Sequence, residues 1–235
     1  MNVFSYHLVR VSFTSALRLI FFPRLKKISG LIHAETMSAM VLGSSIFSGS
    51  RIFNREIVFF AQWENEDCLN EFLLTNSNGK QIAKGWHIRL EFLRQWGKIS
   101  GFQIPTLEKK IANDKPVVAV TLARMNYTQI PRFLYWGRPV EKQVRDHDGT
   151  TISLASIRYP NLISTFSIWK TQKEMTDMVQ GNTKMPEPKR HINAMKERDK
   201  KDFHFEFTTL RFKPLAEFGE WKGKQNYIPN EIKTI

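Results

Sequence analysis

His191 is the side chain of this sequence best placed to bind a cofactor or a metal. It opens the segment His-Ile-Asn-Ala-Met, which puts it near the apolar edge of a predicted helix over residues 187–200. A neutral imidazole in an apolar cleft can ligate a transition metal. The alternative is an exposed histidine, because Lys189, Arg190 and Lys196 are its neighbours in sequence.

Two further histidines follow aromatic residues in segments of alternating character. His87 follows Trp86 and His204 follows Phe203, and both segments begin with lysine and end in Leu-Arg. Alternation with a period of two predicts a strand with one buried face. We expect His87 and His204 to form structural hydrogen bonds, with ligation as the alternative, and the pattern does not tell which face meets the helices.

Arg10 and Arg124 end two further predicted strands. Val118, Val120 and Leu122 share the strand face of Arg124. A charged group on an apolar face is costly unless it is paired. We therefore expect either a ligand or a protein carboxylate beside each arginine, and a solvated strand end is the remaining possibility.

The other reactive residue types indicate core packing. Cys68 is the single cysteine, which excludes an intrachain disulfide, and we interpret it as a core thiol. Trp63 and Trp169 are expected to fill the core. The sequence has no zinc-ligand spacing, phosphate-binding loop, nucleophile elbow or paired-carboxylate motif.

These residues are positioned by a predicted duplication. Leu8, Arg10 and Thr14 recur 114 residues later, Phe60 and Trp63 recur 106 later, and the segment from Trp86 to Arg94 recurs 117 later. The shifts between blocks fall in predicted loops, which tolerate insertions. Both copies have the element order β-α-β-β-α-β of the ferredoxin-like unit.

The duplication predicts an α+β chain with four parts. These are a first ferredoxin-like repeat over residues 1–96, a linker over 97–115, a second repeat over 116–221 and a C-terminal tail over 222–235. Each four-stranded sheet has one face without helices, and packing the two sheets face to face would bury both. The space between the sheets is then the expected ligand cavity, in an intrachain version of a dimeric α/β barrel.

The chain resembles the spheroidene monooxygenase family of carotenoid oxygenases over nearly its whole length. The matching residues lie mostly in the second repeat: 120–124 (Val-Thr-Leu-Ala-Arg), 166–169 (Phe-Ser-Ile-Trp), Met175, Met178, His191, Phe207, 211–215 (Arg-Phe-Lys-Pro-Leu), Gly219 and Trp221. The resemblance implies a heme-dependent monooxygenase or ketolase that acts on a long apolar polyene. It also implies His191 as the axial ligand of heme iron, and contacts of Arg10 and Arg124 with a heme propionate or bound oxygen.

Two other functional interpretations stay open. One is a non-catalytic barrel protein that binds an apolar small molecule, and no oligomer is required for either reading. The other is an RNA-binding module, which the net charge of +13 permits. We consider nucleic acid unlikely as a partner, because the third strands lack the basic and aromatic opening of an RNA-recognition module.

The N-terminal segment predicts where the chain is found. It has no run of 18 apolar residues, and its interrupted apolar stretch belongs to the first repeat, so we expect a cytoplasmic protein without a signal peptide. Basic residues lie beside apolar ones after the first helix, which would permit peripheral contact with a membrane; they are Arg18, Ile20, Phe21, Phe22, Arg24, Lys26 and Lys27. A solvated helix end is the alternative.

Overall fold

The computed structural model describes residues 2–21, 25, 28–43, 55–106 and 108–229. The elements of the first half are β1 (Val3–Arg10), α1 (Phe13–Phe21), β2 (Leu31–Met40), β3 (Glu56–Trp63), α2 (Glu66–Thr75), α3 (Ser77–Ile82) and β4 (Trp86–Lys98). Those of the second half are β5 (Val117–Met125), a 3-10 turn (Tyr127–Gln129), α4 (Ile130–Asp146), β6 (Thr150–Arg158), β7 (Leu162–Trp169), α5 (Gln172–Gln180), α6 (Arg190–Lys200) and β8 (His204–Phe218).

The eight strands form one closed antiparallel barrel in the order β1-β3-β2-β6-β7-β5-β8-β4. Each half contributes four neighbouring strands in the ferredoxin-like order, β4-β1-β3-β2 in the first and β8-β5-β7-β6 in the second. The halves join where β2 pairs with β6 and where β4 pairs with β8. The predicted fold class, two face-to-face ferredoxin-like repeats, is confirmed.

The barrel interior is packed with apolar side chains, so the predicted ligand cavity between the sheets is wrong. Trp86, Ile88 and Leu90 point inward, as their alternation predicts, and meet Val118 and Phe166 from the second half in one cluster. Each of these five side chains is fully buried. Because large residues from both sheets interdigitate here, the interior supplies the stabilising core rather than a binding site.

The C-terminal segment closes one end of the barrel through Glu217. This buried carboxylate accepts hydrogen bonds from Trp86 Nε1 at 2.6 Å and from the backbone nitrogens of Tyr227 and Ile228 at 3.0 Å each. β8 continues to Phe218, and residues 230–235 of the predicted tail lie outside the described part. Three donors on one carboxylate offset its desolvation.

The strand register corrects the sequence alignment of the two closing strands. His7 lies opposite His87 in the first half, and its counterpart Thr121 lies opposite Thr209 in the second. The structural offset from β4 to β8 is therefore 122 residues, so His204 is not the counterpart of His87. The similar sequences at the starts of β4 and β8 are therefore not equivalent in the structure, and a bulge at the start of β8 also shifts its register with β5 by one residue.

The same bulge changes which aromatic residues are buried. Phe203 is buried, whereas Phe205 is 59% exposed, although alternation predicts both on one buried face. A second local difference concerns residues 76–79, whose sequence Asn-Ser-Asn-Gly is typical of a turn but leads into α3. There Asn76 caps the helix, since its Oδ1 accepts from the backbone nitrogen of Asn78 at 2.9 Å. β4 runs to Lys98, two residues into the predicted linker.

Candidate ligand cavity in the second repeat

A cavity of about 550 Å³ lies on the outer face of the second sheet, under helices α4, α5 and α6. Its volume falls within the range of roughly 300–1,000 Å³ that is usual for small-molecule sites. Its sheet wall is formed by outward-facing residues of β5, β7 and β8, which are mostly small: Ala119, Thr121, Ala123, Thr165, Ser167 and Thr209. Because these side chains are short, the helices do not reach the sheet and space remains.

The helix wall of the cavity is apolar and well anchored. α5 begins at Thr171, whose Oγ1 accepts from the backbone nitrogen of Glu174 at 3.1 Å, and ends at Gly181 with φ 73°. Met175 and Met178 of this helix are buried at the cavity. α4 contributes Phe133, Val140 and Val144 to the same wall.

His191 lies in the wall of this cavity, on the first turn of α6. Burial lowers the pKa of the imidazole, and a hydrogen bond to the backbone carbonyl of Val179 partly opposes that shift. The ring is therefore neutral at pH 7. A hydrogen bond through one ring nitrogen orients the ring and leaves the other nitrogen for a ligand.

His204 also lines the cavity, so two of the three singled-out histidines meet at one site. It is buried, its Nδ1 has no partner within the described residues, and its ring stacks on Phe207 with centroids 4.8 Å apart. Burial and the charge of Arg198 lower its pKa to about 4, although Asp202 acts in the opposite direction. His204 is thus a second neutral imidazole in the same apolar space.

Arg124 lies elsewhere, at the mouth of the packed barrel. It forms an ion pair with Glu206, donates to Ser100 Oγ at 2.6 Å and approaches the fully buried Glu35 at 3.5 Å. Glu35 also pairs with Arg158 at 2.7 Å. Of the two partners expected beside Arg124, the structure provides the carboxylate, and its ligand role stays a prediction.

Arg10 and His87 are also remote from the cavity. Arg10 is an exposed residue that lies opposite Glu56 at the end of β1. His87 is buried under the helices of the first repeat, where its ring stacks on His7 and on Phe218 with centroids 4.7 Å away in each case. Neither ring nitrogen of His87 has a hydrogen-bond partner within the described residues, so the structural hydrogen bonds expected of it are wrong. The ligand roles of Arg10 and His87 stay predictions.

The N-terminal patch is described only in part. Arg18 and Phe21 are exposed and Ile20 is half-buried, while Phe22, Arg24, Lys26 and Lys27 lie outside the described residues. The predicted membrane contact therefore stays a prediction. Within the described residues, no helix is long and apolar enough to cross a membrane, and no three metal-ligand side chains form a group.

Sequence reasoning missed one polar residue of the cavity, Arg211. It occupies the outer face of β8 beside Thr209 and lines the space near Trp96. The match of His204 with His87 pointed to the start of β8, whereas Arg211 lies in the middle of this strand. The outward alternation of Phe207, Thr209 and Arg211 is the signal that could have found it.

Comparison with known proteins shows what the fold is similar to. No protein-family model and no curated protein sequence matches the chain. Among solved structures, an aldoxime dehydratase in complex with butyraldoxime is 8% identical, with a TM-score of 0.53 and coverage of 91% of this chain and 79% of that chain.

Two bacterial proteins also align with this chain, with lower TM-scores. A ferredoxin-fold protein from Listeria monocytogenes, related to antibiotic biosynthesis monooxygenases, is 12% identical over 90% of this chain and 95% of its own, with a TM-score of 0.29. A heme-degrading enzyme from the same species is 13% identical over 91% and 100%, with a TM-score of 0.30. At these identities the likeness shows the fold alone.

Proposed function

We propose that the cavity of the second repeat binds heme, with His191 as the axial ligand, and that the protein is an oxygenase for an apolar, carotenoid-like substrate. The observation that carries the proposal is the half-buried, neutral imidazole of His191 in the wall of an apolar cavity. Neutral imidazole is a common axial ligand of heme iron. The interpretation as a spheroidene monooxygenase-like enzyme rests on the sequence resemblance.

The residues of the cavity fit such a group in three respects. The imidazole of His191 is oriented through Val179, so one nitrogen remains for iron. The walls are largely apolar and match a flat apolar ring system. Arg211 provides a cation that could pair with a carboxylate.

Bound heme would supply the activation of oxygen, and the protein would supply binding, orientation and exclusion of water. Met175 and Met178 keep water from the helix side of the cavity. His204 is a neutral group there, able to accept or donate a proton in a hydrogen bond. An apolar substrate would be held by the remaining apolar wall rather than by ion pairs.

Hemin titration, followed by the Soret band, tests the proposal. We expect one equivalent of hemin to bind wild-type protein and His191→Ala to abolish or shift the band, because the axial ligand is lost. His87→Phe is the matched control, since His87 is a buried histidine outside the cavity and a phenyl ring preserves its stacking. An unchanged spectrum in His191→Ala would move the ligand to another residue, with His204 as the next candidate.

The substrate requires a separate measurement. Heme-loaded protein, a reductant and oxygen are supplied with a carotenoid in detergent micelles, and extracts are analysed for an oxygenated polyene by mass spectrometry. Oxygenated product that depends on His191 would support the enzyme. Hemin binding without product from any polyene would favour a heme-binding protein of another function, and binding of polyene without hemin would favour the non-catalytic pocket protein.

A further inference from the structure

The cavity contains a positive charge that no carboxylate among the described residues pairs with. Arg211 is only 9% exposed, and its Nη1 is buried without a hydrogen-bond partner. Within the described residues it forms no ion pair, and its guanidinium carbon lies 4.5 Å from the ring centroid of Trp96. A buried cation without a counter-ion is strongly unfavourable.

The duplicated fold provides a reference for this arginine. Because Ser5 lies opposite Arg89 and its counterpart Ala119 lies opposite Arg211, the two arginines occupy equivalent positions. Arg89 forms an ion pair with Glu66 and donates to Asn70 Oδ1 at 2.7 Å, both on α2. In the first repeat the covering helix therefore neutralises the charge of the arginine, although Arg89 Nε has no hydrogen-bond partner within the described residues.

The second repeat has lost these acceptors. α2 and α5 follow strands that are 106 residues apart, so Glu66 corresponds to Gln172 and Asn70 to Thr176. Gln172 Nε2 instead donates to Thr176 Oγ1 at 3.1 Å, within α5. The arginine has been kept while the carboxylate that would neutralise it has been replaced by an amide.

The surroundings of Arg211 add positive charge. Arg94 is its neighbour across the β4–β8 pair, and its guanidinium carbon lies 4.1 Å from the same Trp96 ring. Burial, together with the charge of Arg94, lowers the pKa of Arg211 to about 10, so it is still charged at pH 7. Glu141 is a carboxylate of the cavity wall, and it accepts from the backbone nitrogen of Gly43 at 2.9 Å.

We propose that Arg211 is the anion-binding residue of this cavity and that the ligand is an apolar molecule carrying a carboxylate. The inference concerns the same cavity as the proposed function, and it rests on that function only in taking this space as the ligand site. Two sources offer the required chemistry. One is the pair of carboxylates on heme, and the other is a free polyene or fatty acid.

Binding of matched acids and esters separates the contribution of the ligand's carboxylate charge to affinity from that of its apolar part. The first pair of probes is parinaric acid and its methyl ester, followed by probe fluorescence, and the second is hemin and hemin dimethyl ester, followed by absorbance. Wild-type protein should bind at least one acid about ten- to a hundredfold more tightly than its ester, as expected for charge-assisted hydrogen bonds. Preference within the first pair alone identifies a free acid as the source, and preference within the second alone identifies heme.

Arg211→Met should remove the preference for the acid while retaining the affinity for the ester, because the side-chain volume is largely kept. Arg89→Met is the matched control and should keep the preference, since Arg89 lies on the other repeat. Gln172→Glu is an independent variant that restores the first-repeat carboxylate. It should also reduce the preference, by giving Arg211 a partner within the protein.

Three results would overturn the proposal: equal binding of acid and ester in both pairs, a preference that survives in Arg211→Met and Gln172→Glu, or binding of none of the four probes. If Arg211→Met melts at a much lower temperature than wild type, Gln172→Glu decides. A hemin spectrum that is unchanged in His191→Ala, beside an acid preference that needs Arg211, would refute the heme ligand and support the anion site.

Discussion

The outer faces of the two sheets differ although they share one strand scaffold. On the first sheet, Phe59 and Trp63 pack against Phe72 of α2, with ring centroids 5.7 and 5.0 Å away. The position of Phe59 is occupied by Thr165 on the second sheet, 106 residues later, and Thr165 lines the cavity. The size of the side chain at this duplicated position therefore largely determines whether the helix packs directly on the sheet or leaves a cavity.

A second pair of equivalent positions shows the same difference. His7 and His87 face each other on the first sheet as stacked rings, 4.7 Å apart and 17° from parallel. Their counterparts on the second sheet are Thr121 and Thr209, whose hydroxyl oxygens are 3.2 Å apart. Short threonines in place of two rings leave room over the second sheet, so the first outer face is closely packed and the second contains the cavity.

The largest expected effect comes from opening the sealed face. Phe59→Ala should lower the free energy of unfolding by about 3–5 kcal/mol, because it removes a fully packed ring and leaves a cavity. Thr165→Ala, the equivalent truncation beside the existing cavity, should cost less than about 1 kcal/mol. Chemical denaturation measures both, and equal losses would contradict the view that only the first face is tightly packed.

A somewhat smaller effect is expected from acid. Burial lowers the pKa of His7 and lowers that of His87 to about 4, so the unfolded chain binds more protons than the folded one below pH ~6.5. The contribution of these neutral rings to the free energy of unfolding should be fully present above that pH and should fall as the pH approaches about 4. The loss should be on the order of 3 kcal/mol for His87 alone. In His87→Phe this part of the loss should disappear from denaturation curves recorded across the range. An unaltered acid profile in the variant would show that the ring pair does not stay neutral.

The smallest expected change in stability comes from replacing the two equivalent arginines, and the change has opposite signs at the two positions. Arg89→Met should destabilise the ligand-free protein by up to about 1.5–3 kcal/mol, because hydrogen bonds to Glu66 and Asn70 are lost. Glu66 is half exposed, so solvent screening places the effect toward the lower end. Arg211→Met should leave stability unchanged or raise it, since an unpaired buried charge is removed. A large loss in Arg211→Met would reveal a partner for Arg211 within the protein.

Much of the fold could be predicted from periodicity, because the interior face of strands such as β4 is apolar and alternates with a polar outer face. Ile88 and Leu90 of β4 illustrate this. The constant offset of 114 residues was sufficient to show that β1 and β5 are equivalent strands of the two repeats. The start of β8 could not be predicted, since the bulge near Phe205 shifts the register without any change in the aromatic alternation.

The candidate site was harder to predict than the fold. His191 was found because an apolar helix edge is visible in sequence. The location of the cavity was not, because it depends on the volumes of Thr121 and Thr165 relative to residues far away in the chain. The role of Arg211 depends on Gln172 standing at the position equivalent to Glu66, an equivalence that the strand register reveals.

The central claim is that the ligand site lies on the outer face of the second sheet and not inside the barrel. Hemin titration of Thr165→Phe tests it most directly, because this variant places the ring of Phe59 at the equivalent position of the cavity. We predict that the variant folds with unchanged or higher stability and loses at least tenfold in hemin affinity relative to wild type. Wild-type affinity in a well-folded Thr165→Phe protein would contradict the assignment of this cavity as the site.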